Sequence, residues 1–253
     1  MSGVGEWMQV AGMTEPVFRQ PGDIRAGGIV CVADHASNRV PEGMDLGVEP
    51  ALMQDHIALD IGVEGVADRL ARRHAIPAHI ACVSRLVCDF NRAESDPAVV
   101  PETSDGHLIP GNLGADIPRR LAAYHRPYHE GLAAFLAEAR PRLVLALHSF
   151  TPALRSCDKP RPWEVALLHN RDDRAARHAI RLFAAEGLTV GDNEPYSGKD
   201  LNATMDRHAE AAGIPYCAIE VRQDQIADEG GQARWAALIA DVAGRVLLAL
   251  DGQ

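Results

Sequence analysis

The sequence predicts an α/β fold built on a mostly parallel sheet. Short, nearly continuous aliphatic runs, typical of strands buried on both faces, alternate with segments whose apolar residues recur every three or four positions. Strands that alternate with helices in this way indicate βαβ units. The 253 residues, 47% of them hydrophobic, suffice for one large core. We therefore expect a single domain over residues 1–253.

The elements follow one another in a regular order. Strand-like runs are found at 27–33, 79–90, 142–150, 164–170 and 216–223. Helix-like segments are found at 51–74, 118–141, 173–187, 201–213 and 230–252. Gly187 and Gly213 stand where helix-ending residues belong. The Pro- and Gly-rich stretches 94–118 and 152–163 are predicted to be long loops, which are often functional.

Composition argues against several classes of partner. A formal net charge of −10 disfavours a broad basic surface for nucleic acid. No apolar run approaches the roughly 18 residues that a membrane-spanning helix needs. The first 18 residues lack the basic and then apolar layout of a signal peptide. We expect a cytoplasmic protein that binds neither nucleic acid nor membrane, and the sequence does not indicate an oligomeric state.

Polar side chains gather where the strand-like runs end. These residues are Asp34 and His35, Asn91 and Arg92, His148 and Ser149, His169 and Asn170, and, within the last run, Glu220 and Arg222. In an open parallel sheet, ligands bind beyond the carboxyl ends of the strands. The sequence therefore predicts that these side chains share one edge of the sheet and build a site there.

Two histidines among these residues, His35 and His148, suggest a metal centre. Catalytic zinc commonly has three protein ligands, often two histidines and a carboxylate. A nearby carboxylate such as Glu220 could act as general base toward water, and arginines could stabilise an oxyanion or hold a carboxylate. These parts fit a metal-assisted amide hydrolase. Zinc is the expected ion, although other divalent metals share these ligands.

Six segments together resemble the N-formylglutamate amidohydrolase family. They are DHASNRVP, SRLVCDFNR, YHRPYHEGL, LALHSFTP, GDNEPYSG and AIEVRQDQI, and the resemblance extends from about residue 28 to 245. It implies a three-layer α/β/α domain with a mixed, largely parallel sheet, like the phosphorylase/hydrolase-like fold of the zinc carboxypeptidases. It also implies hydrolysis of a small N-acyl amino acid, typically N-formylated glutamate or a similar acidic amino acid.

The resemblance also assigns roles to individual residues. His35 and His148 match the two metal-binding histidines, and Glu220 matches the general base. Arg85 matches an arginine that stabilises the oxyanion, and Asn91 and Arg92 match a pair that holds a substrate carboxylate. Arg222 is a further candidate for the carboxylate. The GDNEPYSG segment is implied to face the substrate, with three candidate contacts and a fourth in the next helix: Asn193, Tyr196, Ser197 and His208.

The third metal ligand is an open question at this point. Carboxypeptidase-like enzymes carry a Glu three residues after the first histidine, where this chain has Asn38. Asp60 is the first candidate for the replacement, and Asp55, His56 and Asp34 are weaker ones. His125 and His129 are four residues apart, but Pro127 interrupts the helix between them. A role in the pocket wall is therefore preferred to a metal role for this pair.

Two rival interpretations stay open. A related deacylase or carboxypeptidase-like hydrolase would act on another acyl group or a short peptide. The missing Glu at position 38 could instead mark a decayed metal site in a protein that binds without catalysis. Ser149 next to His148 could suggest a serine hydrolase, but no G-x-S-x-G segment occurs in the chain.

Overall fold

A computed structural model describes residues 15–252. Residues 1–14 and residue 253 lie outside the described part. The interpretation of the first residues as lacking a signal peptide, and the outer limits of the predicted 1–253 domain, therefore fall partly outside it. None of the helices within 15–252 combines the length and hydrophobicity that crossing a membrane requires.

A seven-stranded mixed sheet forms the centre of the fold, in the order β1-β3-β2-β6-β9-β7-β8. Its strands are β1 (Phe18–Arg19), β2 (Ile29–Ala33), β3 (Ala78–Ala81), β6 (Leu143–Phe150), β7 (Val165–Leu168), β8 (Val190–Asp192) and β9 (Tyr216–Arg222). The strands β3, β2, β6 and β9 are mutually parallel. Strand β1 pairs antiparallel with β3, and β7 pairs antiparallel with β9 but parallel with the edge strand β8. A separate hairpin consists of β4 (Thr103–Ser104) and β5 (His107–Leu108).

Helices cover both faces of the sheet. They are α1 (Val63–Arg73), α2 (Ile117–Arg120), a π turn (Leu121–His125), α3 (Arg126–Ala139), α4 (Arg174–Ala185), α5 (Ala203–His208) and α6 (Glu229–Asp251). Helices α1, α4 and α6 share one hydrophobic core with the sheet. Helix α3 and several loops share a second core on the opposite face. The predicted three-layer α/β/α fold with a mixed, largely parallel sheet is confirmed.

The strand predicted over 79–90 is wrong beyond Ala81. From residue 82 the chain turns, with Ser84 N–H donating to the Arg39 carbonyl and Val87 N–H to the Ser84 carbonyl. The apolar side chains of this stretch are nevertheless buried in the second core. The continuous hydrophobic run therefore indicated correctly that these side chains are buried, but it did not indicate a β-strand.

The helix predicted from residue 51 begins only at Val63. Gly62, with φ of 82°, lies in the left-handed region, and a Cβ there would stand 2.1 Å from the Ile226 carbonyl oxygen. Residues 51–62 instead form a loop with one 3₁₀ turn at Leu52–Gln54. Asp60 therefore lies in a loop beside the sheet edge, where its N–H donates to the His35 carbonyl at 2.8 Å.

The strand that ends at His169 and Asn170 runs in the opposite direction to the one predicted. Strand β7 runs antiparallel to β9, with Leu168 opposite Ala218. His169 and Asn170 therefore lie at the opposite edge of the sheet from His148 and Glu220. The expectation that all five strand ends meet at one edge is wrong for this strand.

Candidate active site

The two central strands place a histidine and a carboxylate side by side. His148 on β6 pairs in register with Glu220 on β9. Both side chains follow the alternation that sends Ala146 and Ala218 into the second core, so they project from the same face of the sheet. Both are buried. The sheet thus fixes their mutual position with two rigid elements.

A candidate metal centre lies next to this pair. His35, Asp60 and His148 are all buried and each offers one ligand atom, and these atoms lie within 4.8 Å of one another. Asp60 Oδ2 is 2.9 Å from His148 Nδ1 and 3.5 Å from His35 Nδ1. Two imidazole nitrogens and one carboxylate oxygen are a common ligand set of catalytic zinc.

The donor atoms of this group fit a cation. Within residues 15–252, His35 Nδ1, Asp34 Oδ2 and Glu220 Oε2 are buried atoms that make no hydrogen bond. Buried polar atoms ordinarily have partners, and these unpaired acceptor atoms beside the candidate ligands suit the binding of a cation. Asn38 does not line the cleft, and its Nδ2 donates to the Met53 carbonyl at 2.8 Å.

A carboxylate lies near the Nε2 atom of each histidine ring. Asp89 Oδ1 lies 2.7 Å from His35 Nε2. Asp34 Oδ2 lies 3.8 Å from His148 Nε2, and its other oxygen accepts a hydrogen bond from the Tyr128 hydroxyl at 2.6 Å. A carboxylate behind a ligating histidine orients the ring and makes its free nitrogen a stronger donor to metal. Asp89 thus supports the position of the His35 ring, whereas Asp34 is near His148 without a hydrogen bond to it.

The charges of the cluster shift its protonation. Burial and Arg85 act to lower the pKa of His35, but the carboxylates of Asp89 and Asp60 outweigh them and raise it to about 9. Burial opposes ionisation of Asp60, yet the His35 imidazole and a hydrogen bond from His148 hold the pKa of that carboxyl far below its usual range.

Glu220 has the protonation behaviour of a general base. Burial, reinforced by the charge of Asp60 and opposed by His148, raises its pKa to about 7. A carboxylate poised near neutral pH can take up and release a proton under physiological conditions. Its side chain lines the same cleft as the candidate metal ligands.

Arg85 bridges two carboxylates of the cluster. Its Nη1 donates to Asp60 Oδ1 at 3.2 Å, and its Nη2 donates to Asp89 Oδ2 at 2.9 Å. These two bonds use two of the five N–H groups of a guanidinium. Arg85 also lines the cleft, so its remaining N–H groups are available to a ligand oxygen.

The cleft has the size of a small-molecule site, with a volume of about 280 Å³. Small-molecule pockets typically measure ~300–1,000 Å³. Three further predicted contacts line it, Asn91, Arg92 and Tyr196. Asn91 Oδ1 accepts from the Thr204 N–H at 3.0 Å, which leaves the Asn91 amide N–H₂ as the group free to donate.

Four predicted substrate contacts lie outside the lining of this cleft. Arg222 pairs with Asp224 at 2.7 Å. Asn193 Oδ1 accepts from the His169 and Gly198 N–H groups, and Ser197 Oγ accepts from the Lys199 N–H. His208 Nε2 lies 2.9 Å from His129 Nδ1. Their local partners account for each of these side chains.

The sequence interpretation missed the outer wall of the cleft. His56, considered only as a metal ligand, lies between Asp55 and Asp105 at 2.6 and 3.1 Å and lines the cleft away from the His35 group. Asp105 occupies the tip of the β4–β5 hairpin, and its carboxylate accepts the N–H groups of Arg155 and Ser156. The Asp-Gly pair, with φ of 43° and 78°, is a sequence signal for this tight hairpin.

Arg161 is a second residue that the sequence interpretation missed. It is buried, and its Nη1 donates to the Tyr196 hydroxyl oxygen at 3.0 Å and to the Thr151 carbonyl at 3.1 Å. The guanidinium carbon lies 4.8 Å from the centre of the Tyr196 ring. Because Tyr196 Oη accepts this bond, its own proton is free to point into the cleft.

Comparisons with known proteins identify a family and a fold for this chain. The family model of N-formylglutamate amidohydrolase matches residues 27–227. A solved gene product from Agrobacterium tumefaciens is 31% identical, with a TM-score of 0.84 over 89% of this chain and 92% of that one. A solved N-formylglutamate amidohydrolase from Ralstonia eutropha is 20% identical, with a TM-score of 0.64 over 92% of this chain and 97% of that one. The curated proteins give no match.

Proposed function

Because this chain belongs to the N-formylglutamate amidohydrolase family, we propose that it hydrolyses the N-acyl amide of an acidic amino acid with the help of a divalent metal. The preferred substrate is N-formylglutamate or a close analogue, and the products are formate and the free amino acid. The observation that carries the proposal is the buried group His35, Asp60 and His148, whose ligand atoms lie within 4.8 Å beside Glu220.

The metal would be held by His35, Asp60 and His148. Zinc is the ion that best suits two imidazoles and one carboxylate, and other divalent ions are close alternatives. When bound, it supplies Lewis-acid chemistry, which acidifies water and polarises the amide carbonyl. Asp89 keeps the His35 ring turned toward the shared point through its hydrogen bond with Nε2.

Glu220 is assigned the two proton transfers. It takes a proton from the attacking water and gives it to the nitrogen of the amide as the C–N bond breaks. Its pKa of about 7 suits both directions of transfer. The proton that it removed from water then leaves on the free amine, so the carboxylate is restored for the next cycle.

Arg85 and Arg92 are assigned to different negative charges, the first to the oxyanion and the second to a substrate carboxylate. Arg85 stands against Asp60 and Asp89 at the metal side of the cleft, where its free N–H groups stabilise the oxyanion of the tetrahedral intermediate. Arg92 and Asn91 line the cleft nearby and hold a substrate carboxylate. Within residues 15–252 the Arg92 guanidinium has one hydrogen-bond partner, Asp96 at 3.4 Å, so it can take a bidentate carboxylate.

The decisive experiment is a substrate panel with the purified, zinc-loaded protein. N-formyl, N-acetyl and N-succinyl forms of glutamate and aspartate are compared with N-formyl-leucine, and release of the free amino acid is measured. We expect the highest kcat/KM for an N-formylated acidic amino acid. Turnover of another acyl class would identify a related deacylase. Absence of stoichiometric zinc, together with no turnover of any member, would instead support a decayed metal site in a non-catalytic binding protein.

A further inference from the structure

The loop that carries much of the site has no regular structure of its own. Residues 84–92 contain Arg85, Asp89, Asn91 and Arg92, and no helix or strand falls within this stretch. Beyond its own turn at Ser84, its backbone groups need partners from elsewhere in the chain. Several side chains donate to its carbonyl groups, and three of these donors lie on one neighbouring helical segment, residues 117–139.

Three side chains on that segment each take one carbonyl of the loop. Arg120 Nη1 donates to the Val87 carbonyl at 2.8 Å. His129 Nε2 contacts the Phe90 carbonyl at 3.0 Å, and His125 Nε2 contacts the Arg92 carbonyl at 2.9 Å. The two histidines thus hydrogen-bond to the carbonyls of the residues before and after Asn91.

The π turn at Leu121–His125 lets these donors share one face. In such a turn each N–H reaches the carbonyl five residues back, which adds one residue to the helical turn. Arg120 and His125 are five residues apart across it, and His129 follows one α turn later. Pro127 lies at the second position of α3, directly after the π turn.

The Phe90 carbonyl fixes the tautomer of His129, and a third histidine bonds the other ring nitrogen. Since a carbonyl can only accept, the Nε2 that faces Phe90 must carry the proton, and the Nδ1 of the neutral ring is then an acceptor. His208 Nε2 lies 2.9 Å from that Nδ1 and donates to it. His129 is 2% exposed, and burial, with the nearby charges of His125 and His208, lowers its pKa to about 2.

Helix α5, which carries His208, also contacts the loop directly, at Phe90 and Asn91. The Thr204 N–H donates to Asn91 Oδ1 at 3.0 Å, and the Thr204 hydroxyl donates to the Phe90 carbonyl at 3.2 Å. Helices α3 and α5 therefore meet on Phe90 and Asn91. Two residues away, Asp89 contacts His35 at 2.7 Å.

We propose that His125 and His129, the latter oriented by His208, are positioning residues for the reaction. They hold the carbonyls beside Asn91, and so place Asn91 and Arg92 at the cleft and keep Asp89 against His35. This inference rests on the proposed function for its kinetic consequence. Its second consequence, the affinity for zinc, is independent of any turnover.

The test compares His129→Leu, which removes the donor, with His129→Gln, whose amide N–H₂ can still reach the Phe90 carbonyl. In His129→Leu we expect KM for N-formylglutamate to rise about tenfold, with kcat changed less than threefold, because the groups that hold the substrate move while the proton-transfer group stays. The Kd of the metal-free protein for zinc should rise about tenfold, because Asp89 moves out of its hydrogen bond with His35. His129→Gln should restore most of both values.

The controls separate positioning from general loss of stability. Phe183→Leu weakens the core on the other face of the sheet and should lower the melting temperature without changing KM or the zinc Kd. His208→Leu changes a partly exposed side chain and should shift both values in the same direction by a smaller factor, even where His129→Leu folds poorly. If KM and zinc Kd stay within twofold of wild type in folded His129→Leu and His208→Leu, the inference is overturned. If no substrate is hydrolysed but the zinc Kd shifts as expected, only the proposed function fails.

Discussion

Glu220 stands directly opposite His148 in the register of the two central strands. The pairing puts the proposed general base and a candidate metal ligand on adjacent, hydrogen-bonded backbones, so their separation is set by the sheet and not by loops. Burial of both side chains strengthens every electrostatic interaction between them.

Glu220→Gln should abolish turnover while leaving metal binding intact. The amide keeps the size of the side chain but cannot accept the proton from water, so kcat should fall by about 10²–10⁴-fold. Zinc content, measured by elemental analysis after dialysis, should match that of wild type. The matched control is Glu164→Gln, a carboxylate just before β7 that bonds the Thr189 N–H and lies outside the cleft lining. Retained activity in Glu220→Gln would contradict the assignment of the base.

Asp89→Asn should weaken zinc binding without removing a ligand. Asp89 contacts His35 Nε2 at 2.7 Å, and loss of such a carboxylate typically costs about 10–100-fold in metal affinity. Competition with a chelator of known affinity measures the change. Asp192→Asn provides the control, because it breaks a similar pair, Asp192 with His169 at 2.8 Å, at the opposite edge of the sheet. Equal zinc affinities in Asp89→Asn and wild type would contradict the supporting role.

Arg161 and Tyr196 should act on the substrate as a unit. Arg161 donates to the Tyr196 hydroxyl oxygen at 3.0 Å and thereby directs the phenol proton into the cleft. Tyr196→Phe and Arg161→Met should each raise KM by about five- to tenfold, the value of one lost hydrogen bond. The double variant should be no worse than the poorer single variant, since both remove the same contact. Additive losses in the double variant would show that the two residues act separately.

The juxtaposition of His148 and Glu220 could be predicted from the sequence because both residues lie on rigid strands. His148 and Glu220 interrupt aliphatic runs, and a polar residue in a buried strand needs a reason. The parallel pairing of β6 and β9 then brings them together. The same logic misled the interpretation at His169, because the reversed direction of β7 depends on a chain path that the apolar pattern does not encode.

The outer part of the site could not be predicted in the same way. Asp60 was favoured only through the resemblance, since the apolar spacing around it indicated a helix that the left-handed Gly62 excludes. Arg161 belongs to a long loop whose return to Tyr196 depends on tertiary packing. The π turn before Arg126 shifts the register of the helix, so the spacing of His125 and His129 alone gave no indication of their shared contact with the loop.

Acid should destabilise the protein through buried neutral histidines, of which His79 is the clearest case. Burial, reinforced by the charge of His208, lowers its pKa to about 3, against 6.5 for an ordinary histidine. Between about pH 3 and pH 6.5, His79 therefore binds a proton in the unfolded chain but not in the folded one. The stability that neutral His79 contributes is complete above about pH 6.5 and is lost as the pH falls from there toward its folded pKa.

Comparison with His79→Gln isolates this effect from the other titrating groups. Urea unfolding of both metal-free proteins at pH 7.5 and pH 5 gives the free energy of unfolding at each pH. Between these two values, wild type should lose about 2 kcal/mol more than His79→Gln, because only wild type takes up this proton on unfolding. His79 accepts from Gln20 at 2.9 Å and stacks on Phe18 at 4.5 Å, so the variant will be less stable at neutral pH. The difference in pH dependence, and not the absolute stability, is therefore the measured quantity, and parallel pH dependences would show that His79 becomes charged within the fold.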